Sequence, residues 1–265
     1  MTNTTSTPVT SLPRNEFKQA LLAQRRQIGL WVNFAYHPIV EVLGDSGFDW
    51  LLLDMEHTPS DLHTVGQQLL ALRGRGAAAV VRVPVHDMAW IKRVLDTGAP
   101  NVMVPNIRNV EEARQAVAWT RFAPEGLRGV AGSTRAGNWT RHKDFMARAN
   151  DEVGLVLQIE SREALDALGD ICRVAGVDAV FIGPSDLAAA LGHRGQASHP
   201  EVQAAIEQAI GIARAAGRAI GILAADGKAE QYLQWGATMV GVGTDLHLLV
   251  AAADAVAAKF AAPGA

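Results

Sequence analysis

The sequence predicts an α/β protein folded as a single (β/α)8 TIM barrel, and three observations carry that prediction. Short apolar runs alternate along the chain with longer segments of helical spacing, the pattern of parallel strands joined by helices. Eight such runs can be counted, the number that closes a barrel. Four of them are introduced by related phrases: Gly47-Phe-Asp-Trp50, Gly98-Ala-Pro-Asn101, Gly176-Val-Asp-Ala179 and Gly236-Ala-Thr-Met239. Each places a glycine where a helix ends and a strand follows, because glycine takes the left-handed conformation that closes a helix.

In chain order, the predicted strands are Ile28–Phe34, Trp50–Asp54, Ala78–Val83, Asn101–Val104, Gly154–Glu160, Ala179–Ile182, Ala219–Ala224 and Thr238–Val242. Residues 1–13 are rich in Thr and Ser, have neither a basic start nor an apolar centre, and read as a loose tail. Residues 14–265 read as one barrel domain, with no linker or shift in composition. An open doubly wound sheet is the alternative. Its usual G-x-G-x-x-G after the first strand is missing, since that strand runs into Asn33-Phe-Ala-Tyr-His-Pro38.

With 265 residues, 49% of them apolar, the chain is long enough to bury roughly 70 to 75% of its unfolded surface without a disulfide or structural metal. A net charge of -3 and the lack of a Lys/Arg run argue against nucleic acid as a partner. The single cysteine, Cys172, excludes an internal disulfide and reads as a buried apolar residue in a reducing compartment. Leu246–Ala262 is the most apolar stretch, but His247, Asp254 and Lys259 interrupt it. It is expected to be a packed amphipathic helix and no membrane span. These features together predict a cytoplasmic protein.

In a parallel barrel, reacting groups come from strand ends and the loops that follow, all at one face. The polar residues predicted there are Asp54, Glu56 and His57 after the second strand, Arg82 in the third, Gln158 and Glu160 in the fifth, and Pro184, Ser185 and Asp186 after the sixth. Gln158 and Glu160 are two apart and point the same way. Glu160 and Asp186, from adjacent strand ends, suit Mg2+ or a similar hard divalent ion. Capping of the helices after Ser161 and Pro184 is the structural alternative.

Asp54 is close enough in sequence to accept the Nδ1 proton of His57, which makes His57 a candidate general base. Glu56, between them, is expected to face a helix or solvent. Arg82 interrupts a run of valines and needs an anion, either a barrel carboxylate or a substrate oxygen. None of the five lysines falls in a predicted strand, so carbonyl chemistry here requires a metal ion in place of an imine. Phosphate binding is poorly supported, because Thr244-Asp245 puts a carboxylate beside Gly241 and Gly243.

Several motifs then occur in a familiar order: Ile28-Gly-Leu-Trp31, Gly47 to His57, Val81-Arg-Val-Pro84, Gly126-Leu-Arg-Gly129, Gln158-Ile-Glu160, Phe181 to Leu187, His199 to Ile206, Gly221-Ile-Leu223 and Val240-Gly-Val-Gly243. Over nearly its whole length the chain resembles the metal-dependent class II pyruvate aldolases typified by 4-hydroxy-2-oxoheptanedioate aldolase, within the phosphoenolpyruvate/pyruvate barrel superfamily. The resemblance implies that Glu160 and Asp186 bind Mg2+, Mn2+ or Co2+, that Arg82 contacts the pyruvyl oxygen, and that His57, oriented by Asp54, moves a proton through a water.

Gln158, Pro184 and Ser185 would then hold the pyruvate carboxylate, with Trp31 and Leu223 lining the pocket. The implied reaction is reversible cleavage of a 4-hydroxy-2-oxo acid, such as 4-hydroxy-2-oxoheptanedioate or a 2-keto-3-deoxy sugar acid, into pyruvate and an aldehyde. Kinship also implies a homohexamer, a trimer of dimers that exchange the helix Leu246–Phe260. The alternatives are a lyase acting on a citramalyl- or malyl-CoA thioester and a non-catalytic small-acid binder. The first needs a basic groove for the CoA phosphates, and no suitable cluster stands in the sequence.

Overall fold

The computed structural model describes residues 11–225 and 227–261. Eight parallel strands close on themselves in the order β1 to β8. They are β1 (Gln27–Val32), β2 (Trp50–Asp54), β3 (Ala78–Arg82), β4 (Asn101–Val104), β5 (Gly154–Ile159), β6 (Ala179–Ile182), β7 (Ala219–Leu223) and β8 (Met239–Thr244). All eight coincide with predicted strands, their ends shifted by at most two residues. Closure comes from β1 on β8, with Gln27 beside Met239 and Ile28 beside Val240.

The first helix, α1 (Glu16–Leu22), precedes the barrel, and α2 (His37–Leu43), α3 (Leu62–Ala71), α4 (Met88–Asp96) and α5 (Val110–Thr120) follow β1 to β4. A short helix, α6 (Phe145–Glu152), comes before β5, and α7 (Arg162–Arg173) after it. Beyond β6 lie α8 (Pro184–Ala190) and α9 (Pro200–Ala215), then α10 (Ala229–Trp235) and α11 (Asp245–Ala258). Asp61, Asp87, Asn109, Ser161 and Thr244 start their helices by accepting backbone N–H groups of the first turn. Gly47, Gly98, Gly176 and Gly236 all have positive φ, the conformation expected of them.

Alternation along each strand sorts the apolar residues into two layers. Leu30, Leu51, Leu53, Val81, Val102, Leu157 and Val180 face outward onto the helices in one continuous core. Trp31, Trp50, Leu52, Val80, Met103, Val156, Phe181 and Met239 fill the barrel itself, joined from below by Phe17 and Leu21 of α1. Two glycines make room for the largest of these. A Cβ on Gly29 would lie 2.1 Å from the Trp50 ring, and one on Gly221 would lie 2.4 Å from Phe181.

Two expectations are corrected. Residues 1–10 of the expected tail lie outside the described residues, but Ser11 and Leu12 are held in place: both hydrogen-bond the Asp144 carboxylate, and Arg148 donates to the Leu12 carbonyl. The C-terminal helix touches its own barrel only at its start, through the buried Asp245, and the apolar residues beyond are not packed there. Leu246, Leu248, Leu249, Val250 and Val256 of α11 are all exposed. Among the described residues, no helix is long and apolar enough to cross a membrane.

Candidate active site

The inward positions of the barrel lead directly to the site. Asp54, Arg82 and Gln158 each lie two residues beyond an interior residue, Leu52, Val80 and Val156, so their side chains emerge above the apolar filling at the end where the strands finish. Asp54 and Arg82 are also direct neighbours in the register of β2 and β3. Glu160 follows β5, and Asp186 sits in the first turn of α8, just after β6. Asp54, Arg82, Gln158 and Glu160 are all buried.

Arg82 is the organising residue. Its Nε and Nη2 donate to the two oxygens of Asp54 at 2.8 and 2.7 Å, a bidentate pair. Its Nη1 lies 2.7 Å from Glu56 Oε2 and 3.4 Å from Gln158 Oε1, and the guanidinium stands 4.9 Å from the centre of the Trp31 ring. Burial alone would raise the Asp54 carboxyl. The hydrogen bonds and charge of Arg82, together with the Glu56 N–H and the Trp31 indole, reverse this and hold it below its ordinary value.

This arrangement corrects the expected Asp54–His57 pair. Both Asp54 oxygens are taken by Arg82, and Oδ1 also accepts the Glu56 N–H at 3.0 Å. His57 projects outward, with 64% of its side chain exposed, and the carboxylate beside it is Glu56, whose Oε2 is 3.9 Å from Nε2. Glu56, expected to face away, instead turns into the site. Burial pushes its carboxyl up against the pull of Arg82 and His57, and Asp54 and Asp186 add to the rise.

Glu160 is the most perturbed group of the site. Burial, then the charges of Asp186 and Glu56, push its carboxyl up to about 7. One oxygen accepts the backbone N–H of Asn106 at 2.8 Å and the other accepts Gln158 Nε2 at 2.8 Å. Neither Glu160 nor Asp186 serves as a cap: Ser161 accepts the Ala164 N–H at the start of α7, and Gly183 stands at the head of α8 without a side-chain bond. A Cβ on Gly183 would fall 2.4 Å from Glu160 Oε2, so glycine leaves that oxygen its space. Carboxylates gathered in this way, with burial and mutual repulsion raising Glu56 and Glu160, fit a hard divalent cation.

The remaining predicted residues surround this centre. Trp31 lies below Arg82 in the barrel filling, and Leu223, at the end of β7, packs against the same cluster. Pro184 and Ser185 open α8 beside Gly183. Sequence reasoning missed three contributors: Glu56, the Asn106 backbone, which has a φ of +53°, and Gly183. The Asp245 carboxylate, which spoke against phosphate binding, accepts the N–H groups of Asn33 and Phe34 and so ties the β1–α2 loop to α11. The segment 128–133 lies at the opposite end of the barrel. There Arg128 pairs with Asp96, and Arg135 donates to the Thr97 carbonyl.

A closed parallel barrel with an acidic, arginine-centred mouth defines a class, the (β/α)8 enzymes with their site at the ends of the strands. Residues 27–252 match the model of the HpcH/HpaI aldolase/citrate lyase family. The chain belongs to that family and is a carbon–carbon lyase. It is 49% identical over 247 residues to the 5-keto-4-deoxy-D-glucarate aldolase of Citrobacter koseri, covering 93% of this chain and 96% of the relative. Among solved structures, an HpcH/HpaI aldolase/citrate lyase family protein from Burkholderia cenocepacia superposes with a TM-score of 0.90 at 37% identity, covering 92% of this chain and 98% of that one. The HpcH/HpaI aldolase of Desulfitobacterium hafniense gives 0.85 at 30%, with coverages of 93% and 97%.

Proposed function

We propose that this barrel is a class II aldolase that reversibly cleaves a 4-hydroxy-2-oxo acid of the 2-keto-3-deoxy sugar type into pyruvate and an aldehyde. The observation that carries the reading is the set of acidic side chains, Glu56, Glu160 and Asp186, beside the anchored guanidinium of Arg82. Among substrates, 5-keto-4-deoxy-D-glucarate, the compound in the relatives' names, is favoured over 4-hydroxy-2-oxoheptanedioate.

Glu160 and Asp186 would hold Mg2+, Mn2+ or Co2+. When bound, the ion supplies positive charge beside the 2-oxo oxygen, lowering the cost of the negative charge that develops there. Arg82, fixed by Asp54 and supported on Trp31, would offer that oxygen an N–H of Nη1, the group that faces Glu56 in the structure. Gln158, with Pro184 and Ser185 at the head of α8, orients the substrate carboxylate, and Leu223 closes the apolar side. His57, exposed at the rim with Glu56 beside it, accepts the 4-hydroxyl proton through a water as the C3–C4 bond breaks.

The same reading assigns α11 to an assembly. Its exposed Leu246, Leu248, Leu249 and Val250 would pack on a partner subunit, in a hexamer built from dimers that exchange this helix. The buried Cys172 suits the cytoplasm.

The deciding experiment measures pyruvate release from a panel of 4-hydroxy-2-oxo acids and CoA thioesters, with a chelator and then with each of the three ions. Cleavage of 5-keto-4-deoxy-D-glucarate that a chelator stops and Mg2+ or Mn2+ restores is expected. Chelator-resistant cleavage, trapping of an adduct by borohydride, or turnover of thioesters alone would overturn the proposal.

A further inference from the structure

Outside the acidic centre, the connection between α8 and α9 and the first turn of α9 bring together two imidazoles and a carboxylate. The rings of His193 and His199 stack with centroids 3.6 Å apart and planes 15° from parallel, and His193 Nε2 lies 2.8 Å from Glu201 Oε2. One ligand atom from each of the three residues lies within 4.8 Å of the other two. We propose that His193, His199 and Glu201 form a second metal site, for a borderline divalent ion such as Zn2+. Its ligand chemistry differs from that of the all-carboxylate mouth.

The donor set and the backbone support the assignment. Two imidazole nitrogens and one carboxylate oxygen, with a position left for water, are a common tetrahedral set for Zn2+, whereas hard ions such as Mg2+ prefer oxygen alone. Bonds of about 2.0–2.1 Å place tetrahedral ligand atoms about 3.4 Å apart. The His193 Nε2–Glu201 Oε2 separation of 2.8 Å is shorter than that, and the three ligand atoms all lie within 4.8 Å of one another. The Glu201 side chain is 57% exposed, and for both imidazoles to reach one ion the two stacked rings must turn apart at one edge.

The loop beneath the rings is already ordered. Gly192 and Gly195 take φ of +90° and +78°, and backbone bonds run from His193 to Ala188 at 2.7 Å, from Gln196 to His193 at 2.9 Å and from His199 to Gln196 at 2.9 Å. Gln203 Nε2 ties the Ala197 carbonyl from α9 at 2.8 Å. Ordering that is present before the ion arrives does not have to be supplied by binding. Little is lost in return. The bond from the Glu201 N–H to His199 Nδ1 is long, at 3.3 Å, and the proton that His193 shares with Glu201 leaves to solvent as the ring nitrogen takes the metal.

The test is equilibrium dialysis of the full chain against Zn2+, with bound metal counted, in a Glu160→Gln/Asp186→Asn background that silences the mouth. One Zn2+ per chain is expected, with X-ray absorption at the zinc edge showing imidazole ligands. His193→Asn or Glu201→Gln should weaken this binding by at least about tenfold with an unchanged melting curve. In the otherwise native chain, His193→Asn should lower the count by one. Unaltered zinc binding in His193→Asn, no zinc in the silenced background, or a zinc spectrum without imidazole would overturn the site. No residue is shared with the mouth, so this site and the aldolase reading fail separately.

Discussion

At the end of the barrel where the strands begin, Lys18 Nζ lies 3.8 Å from Asp178 and donates to the Val153 carbonyl at 2.8 Å. Asn15 and Asn101 complete a buried network there, and α1 seals it from water. At the other end a single guanidinium, that of Arg82, is set among four carboxylates, those of Asp54, Glu56, Glu160 and Asp186. The lower end matches one cation to one anion and supports the fold. The upper end carries a negative excess that a divalent ion would offset, which is a poor arrangement for stability and a useful one for chemistry.

The largest effect should come from removing the acidic pair. Glu160→Ala or Asp186→Ala should lower metal-supported pyruvate release by at least about 1000-fold, in the range seen when a main electrostatic contributor is lost. Full activity in either variant would break the contrast between the two ends. Next, Arg82→Lys keeps the charge but cannot hold Asp54 with two parallel bonds, and kcat should fall about 100-fold.

Asp54→Asn sharpens the corrected pairing. If Asp54 works by holding Arg82, its loss should cost about 10- to 100-fold and should add little on top of Arg82→Lys in a double-mutant cycle. Additive effects would return Asp54 to His57. At the sealed end, Lys18→Met should leave kcat unchanged and destabilise the chain by about 2 to 4 kcal/mol in chemical denaturation, because Asp178 stays buried without its cation.

The last effect, spread over several pH units, concerns protonation. Glu160 binds its proton more tightly in the folded chain, with its carboxyl up at about 7 against an ordinary 4.5. Its contribution to stability is therefore complete below 4.5 and is lost as pH rises through about 7. In chelated protein, stability should decline over that window by on the order of 3 kcal/mol, and Glu160→Gln should flatten the decline. Equal slopes for the two proteins would remove Glu160 from the acidic excess.

The strands were legible because a strand inside a parallel barrel needs an apolar residue on each face, and the helix ends because only glycine sits easily at φ near +90°. The Asp54 partner was not legible. Proximity along the chain pointed to His57, whereas the partner 28 residues away became evident only once the register set Asp54 beside Arg82. A signal was nonetheless present, since both residues stand two places beyond an inward apolar residue, Leu52 and Val80, and so at equal height. Glu56 was hidden by the turn after β2, which breaks the alternation that sorts side chains inside from outside. The exposure of α11 was not legible as such, because apolar content along a helix does not say what covers it.

Trp50 and Phe181, seated in the space that Gly29 and Gly221 leave, plug the cylinder from wall to wall. A vessel stopped in this way has one doorway. Whatever reacts at the buried Arg82 must therefore both arrive and leave at the end where the strands finish.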